Sequence, residues 1–370
     1  MKLAICALWI SLAAGGSAAA QSLGTVTPDA AHTDADLKAA LINRVDTAKR
    51  SVGIIVGILT PEGRRYLVRG VTDKEIGAAP DADTMFEIGS ITKVFTSLLL
   101  ADMVERGEVK LDDPIASYLP AAVKIPSRND RSITLVDLAT HTSGLPRLPA
   151  NLGANFSNPY AHYETAQLYE FLSSYTLPRD PGEKWEYSNL GGGLLGHILS
   201  RRAGMSYEEL LRRRVLEPLG MKSTTITLST EQRRLMASGY NFAGLPTGNW
   251  DFDVLAGGGA IRSTASDMLN FAAAELGLVE HPLKAAMERM LSVTRPSPSA
   301  ALSQHLGWLV IGGTVLFHDG GTGGYRSALA IRPSTRQAVI VLSNSTQDVS
   351  DIAIHGVVPE QPLLVLEAPK

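Results

Sequence analysis

Segments typical of β-strands lie near both ends of the chain, and segments typical of helices lie between them. Short runs rich in β-branched and aliphatic residues predict six strands, at 52–59, 64–69, 307–311, 315–318, 326–331 and 338–342. Patterns with helical spacing predict helices at 34–50, 134–138, 164–174, 190–202, 207–215, 264–276 and 346–356. We therefore predict one sheet built from both ends of the chain, in a discontinuous α/β domain of residues 21–132 and 277–370. Residues 133–276 are predicted to form a mostly helical insert.

The composition is that of an ordinary globular protein with a large core. Of the 370 residues, 45% are hydrophobic and 19% are charged. The formal net charge is −3, so no basic field predicts binding to nucleic acid.

The first 20 residues predict a cleavable signal peptide. Lys2 supplies the positive start, residues 3–12 the apolar stretch, and the small residues at 18–20 a cleavage site before Gln21. The single cysteine, Cys6, lies inside this segment, so the mature protein is expected to have no disulfides. No later stretch is long and apolar enough to predict a membrane span. We predict a periplasmic or secreted protein.

Ser90 and Lys93 stand at the head of a strongly apolar run. On a helix, residues three apart share one face, so the hydroxyl and the ammonium group can meet. Burial tends to lower the pKa of a lysine, and a serine beside such an amine can become a nucleophile. The pattern also arises by chance, as a surface serine near a solvated lysine, so it requires partners elsewhere in the chain.

Tyr187, Ser188 and Asn189 precede the predicted helix at 190–202. A phenol and a carboxamide in this position could face a cleft, and a tyrosine beside a cationic group can shuttle a serine proton. The alternative is a helix cap, which would explain Ser188 or Asn189 alone.

The glycine-rich run at 318–324 follows a predicted strand and begins with His318. Glycines there would let a substrate lie against the strand edge and would let a backbone N–H point into a site. A flexible hairpin loop is the alternative interpretation. The run lacks the ending of a phosphate-binding loop.

These three motifs, S-x-x-K, Y-S-N and H-x-G, occur in the order found in class C β-lactamases and DD-peptidases, and the chain resembles that superfamily. The segments 138–145, 218–221 and 257–264 resemble recurring segments of the same group. The resemblance implies an α+β fold, in which an antiparallel sheet is flanked by helices and interrupted by an inserted helical domain. It also implies that the active site lies between the two parts.

By this resemblance Ser90 would be the acylated nucleophile. Lys93 and Tyr187 would be the proton-transfer pair, with the identity of the base left open. Asn189 would hold the amide of the substrate side chain.

The resemblance also assigns roles to the glycine-rich run. Gly320 would keep the strand edge clear, and the backbone N–H groups of Ser90 and Gly321 would form the oxyanion hole. His318 stands where many class C β-lactamases have lysine, and a histidine is largely neutral at pH 7. Because of this departure, efficient turnover of β-lactams is more in doubt than the acyl-serine mechanism itself. Asn344 is a weaker candidate for a place near a substrate carboxylate.

We predict a secreted acyl-serine hydrolase, in first place a class C-like β-lactamase. The alternatives are a D-alanyl-D-alanine carboxypeptidase/endopeptidase of peptidoglycan, a class C-like carboxylesterase, and a penicillin-binding sensor that acylates without turnover. No H-E-x-x-H or H-x-H-x-D spacing predicts a metal site, no G-x-S-x-G predicts an α/β-hydrolase, and no cofactor is expected. The expected partner is a small β-lactam or a peptide ending in D-alanine, and we expect a monomer.

Overall fold

Seven antiparallel strands from the two ends of the chain form the main sheet. The computed structural model describes residues 30–155 and 157–368; the predicted signal peptide at 1–20 and the start at Gln21 lie outside them. The described strands are β1 (Gly53–Thr60), β2 (Gly63–Gly70), β3 (Met85–Glu87), β4 (Ser127–Arg128), β5 (Arg131–Ser132), β6 (Gly239–Tyr240), β7 (Pro246–Thr247), β8 (Arg262–Thr264), β9 (Leu302–Gln304), β10 (Leu309–Ile311), β11 (Val315–Gly321), β12 (Arg326–Arg332) and β13 (Gln337–Ser343). The strand order in the main sheet is β2-β1-β13-β12-β11-β10-β9.

Ten α-helices surround and extend this sheet within the described residues. They are α1 (Ala30–Ile42), α2 (Thr92–Glu105), α3 (Leu135–Ala139), α4 (Thr165–Ser174), α5 (Asn189–Ala203), α6 (Tyr207–Leu211), α7 (Thr230–Leu235), α8 (Ala265–Glu275), α9 (Lys284–Ser292) and α10 (Ser350–Val357). Both parts of the predicted architecture, an antiparallel sheet from the two ends and helices from the middle, are present. None of the helices in the described ranges is long and apolar enough to cross a membrane.

The sheet is covered on both faces, and β1 shows why. Alternate side chains of a strand point to opposite faces. Ile54, Val56 and Ile58 pack with α1 and α10 in one hydrophobic cluster, whereas Ile55 and Leu59 join the larger cluster on the other face. All eight residues of β1 are therefore buried, and the strand has no polar face.

The larger cluster includes α2, in which every residue at 92–103 is buried. The helix α8, which lies inside the predicted insert at 133–276, also packs on the sheet, where Leu269 lies close to Gly57. The domain boundaries at 132 and 276 stay predictions.

One end of β11 has a free edge on the side away from β12. Pairing with β10 ends at Phe317, and among the described strands none continues along residues 318–321 on that side. The turn of 3₁₀-helix at Gly89–Ile91, which leads into α2, lies against this part of the strand. The fold thus brings the residues around 90 and 320 together.

Candidate active site

The side chains of Ser90 and Lys93 meet at the start of α2. The Lys93 Nζ donates a hydrogen bond to Ser90 Oγ at 3.1 Å, as the spacing of three residues predicted. Ser90 is half-buried and borders a cleft, while Lys93 is 3% exposed. The hydroxyl is accessible to a ligand, and the amine behind it is shielded from water.

Lys93 is held by three uncharged oxygen atoms. Besides Ser90 Oγ, the ammonium group donates to Asn189 Oδ1 at 2.8 Å and to the carbonyl of Gly258 at 2.6 Å. Burial lowers the pKa of Lys93 to about 7; the charge of Arg147 lowers it further, and the charge of Asp319 opposes the shift. A substantial fraction of this amine is therefore neutral near pH 7 and can accept a proton.

Tyr187 lies beside the same pair. Its ring centroid is 4.9 Å from Lys93 Nζ. Burial raises the pKa of its phenol above the ordinary value, and the nearby Ser90 side chain opposes that shift. Tyr187 is consequently a neutral phenol at pH 7, able to pass a proton but poorly suited to hold a negative charge.

Backbone and side-chain hydrogen bonds fix the segment that carries Tyr187. Ser188 N–H donates to His141 Nδ1 at 3.2 Å, and the His141 ring lies 4.5 Å from that of Tyr187. Ser188 Oγ accepts from Gly191 N–H at 2.8 Å and caps α5, as one interpretation of the motif predicted. Ser188 of the Y-S-N motif thus caps α5 and fixes the positions of Tyr187 and Asn189 on either side of it.

Asn189 connects the pair to an aromatic wall that the sequence analysis did not predict. Its Nδ2 donates to the hydroxyl of Tyr160 at 3.2 Å. The ring of Tyr160 stacks on Phe252 at 4.4 Å and meets Trp250 edge-on at 5.6 Å. Ser90 and Gly321 line a narrow cleft together with these four side chains.

Trp250 is held in this wall by a buried ion pair. The backbone N–H of Trp250 donates to Glu87 Oε1 at 2.8 Å, and its backbone carbonyl accepts from Arg262 Nη2 at 2.8 Å. Glu87 and Arg262 are 3% and 5% exposed. The signal for the wall in the sequence was the presence of aromatic residues in two irregular segments, 145–160 and 239–256.

His318 is buried at the free edge of β11 and does not act as a cation. Its Nδ1 donates to the carbonyl of Asp319 at 2.7 Å, because a carbonyl oxygen can only accept. Burial lowers the pKa of His318 to about 4, and the charge of Lys93 adds to this effect. The imidazole is therefore neutral at pH 7.

Gly320 and Gly321 bring the strand edge against the turn that holds Ser90. A Cβ on Gly320 would lie 2.0 Å from the carbonyl oxygen of Ile88 and 2.9 Å from Ser90 N, so only glycine fits. Gly89, at φ +49°, packs on the backbone of Gly321, where a Cβ would lie 2.5 Å from its nitrogen. The backbone of Gly321 thus packs against the turn that carries Ser90, and both residues line the cleft.

Asn344 does not face the cleft. Its side chain is fully buried, and its Nδ2 donates to the carbonyls of Val71 at 3.2 Å and Thr72 at 3.0 Å. The predicted placement of Asn344 near a substrate carboxylate is therefore wrong, because its side-chain amide ties the end of β13 to the segment that follows β2. In the described part of the chain no group of three or more His, Cys, Asp and Glu side chains could hold a metal ion.

The chain is similar to known proteins over most of its described residues. The family model described as Beta-lactamase matches residues 39–357. The D-alanyl-D-alanine-carboxypeptidase/endopeptidase AmpH of Escherichia coli K12 is 29% identical over 328 residues, which cover 82% of this chain and 84% of that protein. A beta-lactamase of Pseudomonas fluorescens is 27% identical over 330 residues, covering 79% of this chain and 88% of that protein.

A solved class C beta lactamase from Rhodobacter sphaeroides superposes with a TM-score of 0.73 and 26% identity, covering 89% of this chain and 97% of that one. The predicted fold class is confirmed by this likeness, and the predicted superfamily and serine-hydrolase class are confirmed by the family match and the relatives. The chain belongs to the Beta-lactamase family.

Proposed function

We propose that Ser90 is the nucleophile of an acyl-serine hydrolase that opens the amide of a β-lactam ring. The observation that carries the proposal is the contact between a half-buried serine and a lysine whose pKa is lowered to about 7. Nucleophilic serines need such a base within hydrogen-bond reach.

In the acylation step, Ser90 Oγ attacks the lactam carbonyl carbon while its proton passes to the neutral amine of Lys93. The carbonyl oxygen gains the negative charge, and the backbone N–H groups of Ser90 and Gly321 stabilise it. The carbon–nitrogen bond then breaks and the nitrogen takes a proton. Tyr187, a phenol beside both Ser90 and Lys93, relays that proton from the lysine to the leaving nitrogen.

In the deacylation step, a water molecule attacks the ester carbonyl and the same groups run in reverse. The water loses a proton to the amine of Lys93 or to the Tyr187–Lys93 relay, and Ser90 Oγ leaves with a proton. The products are an acid and the free enzyme. Asn189 is positioned to bind the side-chain amide of the substrate, since its carboxamide lies between Lys93 and the aromatic wall.

Hydrolysis of peptides that end in D-alanine is the second candidate function. It uses the same acylation step, with the peptide amide in place of the lactam. The similarity to AmpH over 82% of the chain favours it.

The test is intact-protein mass spectrometry after mixing with a penicillin, run beside nitrocefin turnover. We expect an adduct on Ser90 that disappears as nitrocefin is hydrolysed, and neither adduct nor turnover in Ser90→Ala. A lasting adduct with little turnover would favour the peptidase, to be checked by release of D-alanine from a D-Ala-D-Ala peptide. Absence of adduct with every β-lactam would overturn the first proposal.

We also infer export to the periplasm or the medium, and a monomeric mature protein. The charged start, the short apolar stretch and the small residues before Gln21 support export. The mass of the protein recovered from a cell fraction should correspond to a chain that begins near Gln21. Light scattering should give the mass of one chain, and a dimer mass would contradict the second part.

A further inference from the structure

Arg147 lies at the catalytic pair without a counterion. Its guanidinium carbon is 5.0 Å from the ring centroid of Tyr187, and Lys93 Nζ is 4.9 Å from the same point. The two cationic groups are therefore at most about 10 Å apart. Lys93 is buried, whereas Arg147 is exposed.

The loop that carries Arg147 is fixed by its backbone. The carbonyl of Arg147 accepts hydrogen bonds from Asn189 N–H at 3.0 Å and Leu190 N–H at 3.2 Å, and the carbonyl of Pro146 accepts from Ser188 Oγ at 2.7 Å. These bonds do not involve the guanidinium group. The side chain can consequently be replaced without removing the contacts that hold the loop to α5.

The guanidinium group itself makes no hydrogen bond or ion pair with any residue at 30–155 or 157–368. Its contact with the Tyr187 ring is a cation–π contact rather than a hydrogen bond. Its N–H donors match the two oxygens of a carboxylate and are left unused by the described residues. A guanidinium group with unused donors beside the catalytic pair is a receptor for an anion.

The other charges near the pair do not supply that anion. The carboxylate that acts on Lys93 belongs to Asp319, and the positive charge of Arg326 acts on Asp319 in turn. Arg326 is itself committed, since its Nη1 donates to the carbonyls of Tyr325 at 3.1 Å and Thr322 at 3.3 Å. His318 is neutral at pH 7 and adds no cation.

We propose that Arg147 binds a carboxylate of the substrate and makes this enzyme selective for anionic acyl donors over neutral esters and amides. The inference rests on the proposed acyl-serine function and adds its substrate class. Both substrate types considered above, penicillins and peptides ending in D-alanine, carry a free carboxylate near the bond that breaks. Arg147 is then a specificity residue that contacts substrate, while Lys93 and Tyr187 carry the proton transfers.

The experiment compares benzylpenicillin with its methyl ester, which has the same lactam and no charge. The second-order rate of acylation is measured by mass spectrometry for the wild type, Arg147→Gln, Arg147→Lys and the matched control Arg234→Gln. All rates are compared at pH 9, where Lys93 stays largely deprotonated even after loss of the Arg147 charge raises its pKa. Arg234 is an exposed arginine on α7 and makes no ion pair with other residues of the described chain.

We expect Arg147→Gln to lower the rate with benzylpenicillin by about 10- to 100-fold, as for loss of a charged hydrogen-bond pair. The rate with the methyl ester should change by less than about threefold, because no carboxylate is present. Arg147→Lys should recover part of the rate, since it keeps the charge and loses the fork. Raising the salt concentration should slow only the charged substrate, because the arginine is exposed.

An equal loss with both substrates, or no loss with either, would overturn the proposal for Arg147 while leaving the acyl-serine function in place. A wild type that prefers the methyl ester would also overturn the proposal for Arg147 and leave the acyl-serine function in place. A wild type that forms an adduct with neither compound would instead overturn the proposed function itself. Circular dichroism of each variant confirms that the rates compare folded proteins.

Discussion

At the scale of single residues, the site depends on one amine kept out of water. Lys93 is bonded to three oxygens without formal charge, so its ammonium form gains no ion pair to offset the loss of hydration. The neutral form of Lys93 is therefore more populated than that of an exposed lysine, and the pKa of Lys93 is about 7. The phenol of Tyr187 is shifted away from its charged form by the same burial.

The rate of acylation should therefore rise as the pH increases through about 7. Below this pKa Lys93 is protonated and cannot take the Ser90 proton; above it the amine is free. The measurement is the acylation rate from pH 5 to pH 9 in the wild type. Lys93→Arg, which stays protonated throughout, should lose about 10²- to 10⁴-fold in rate, and the exposed control Lys222→Arg should lose none. A rate independent of pH between 6 and 8 would exclude Lys93 as the base.

At the scale of helices and strands, α5 ties the stability of an element to the position of two side chains in the site. Ser188 caps the helix through Gly191 N–H, and its hydroxyl also donates to the carbonyl of Pro146. The residues on either side, Tyr187 and Asn189, are the ones that reach Ser90 and Lys93. Loss of the cap should consequently disturb the geometry of the site along with the helix.

Ser188→Ala should lower the free energy of unfolding by about 1 to 2 kcal/mol and also slow acylation. The matched control is Ser206→Ala, which removes the cap of α6 at Glu209 N–H, with no contact to the cleft. That variant should lose about 1 kcal/mol with an unchanged acylation rate. Urea unfolding followed by fluorescence gives the stabilities. Equal acylation rates in the two variants would mean that the cap does not position the site.

Local patterns predicted the parts of the site that depend on local geometry. Ser90 and Lys93 meet because a helix places residues three apart on one face, and that is readable from spacing. Tyr160 and Trp250 reach the cleft, and Arg147 reaches the Tyr187 ring, from irregular segments. The paths of these segments are set by contacts with distant residues such as Glu87 and Asn189.

The helices α7 and α9 were not predicted, and α9 is a different case from the loops because its signal was present in the sequence. Ala286, Met287 and Met290 have the spacing of one helix face and are buried together. The helix at 34–50 was predicted where α1 is observed at Ala30–Ile42, followed by a wider turn at Asn43–Thr47. The bounds of the six predicted strands were accurate to within a few residues, since central strands such as β1 and β13 are buried on both faces and are nearly continuous apolar runs.

At the scale of the whole molecule, a buried ion pair joins the two ends of the described chain. Arg44, which follows α1, is fully buried and bonds Asp351 of α10 at 2.6 Å. Asp351 also accepts from Leu364 N–H at 2.8 Å, and Asn43 exchanges two hydrogen bonds with the backbone of Leu366. The segment after α10 is thereby held against the helix that begins the described fold.

Asp351→Asn should lower the free energy of unfolding by about 3 to 5 kcal/mol, because it leaves the charge of Arg44 buried without a partner. The control is Asp46→Asn, which breaks the ion pair with Arg69. The side chains of Arg69 and Asp46 are 50% and 37% exposed. That change should cost less than about 1 kcal/mol. Urea midpoints of the two variants test the difference, and similar midpoints would contradict it. Neither change is expected to alter the pH profile of acylation.

The pairing of β1 with β13 has a consequence for how the protein is made. The strand β1 is synthesised well before β13, its neighbour in the sheet, leaves the ribosome. Until then the apolar edge of β1 has only β2 beside it, and Ser90 lacks the β11 edge that completes its surroundings. We therefore expect the nascent chain to be catalytically inactive, and this strand edge to be open to aggregation, until β11 and β13 have been synthesised. Catalytic competence is acquired in a late step, when the C-terminal strands arrive.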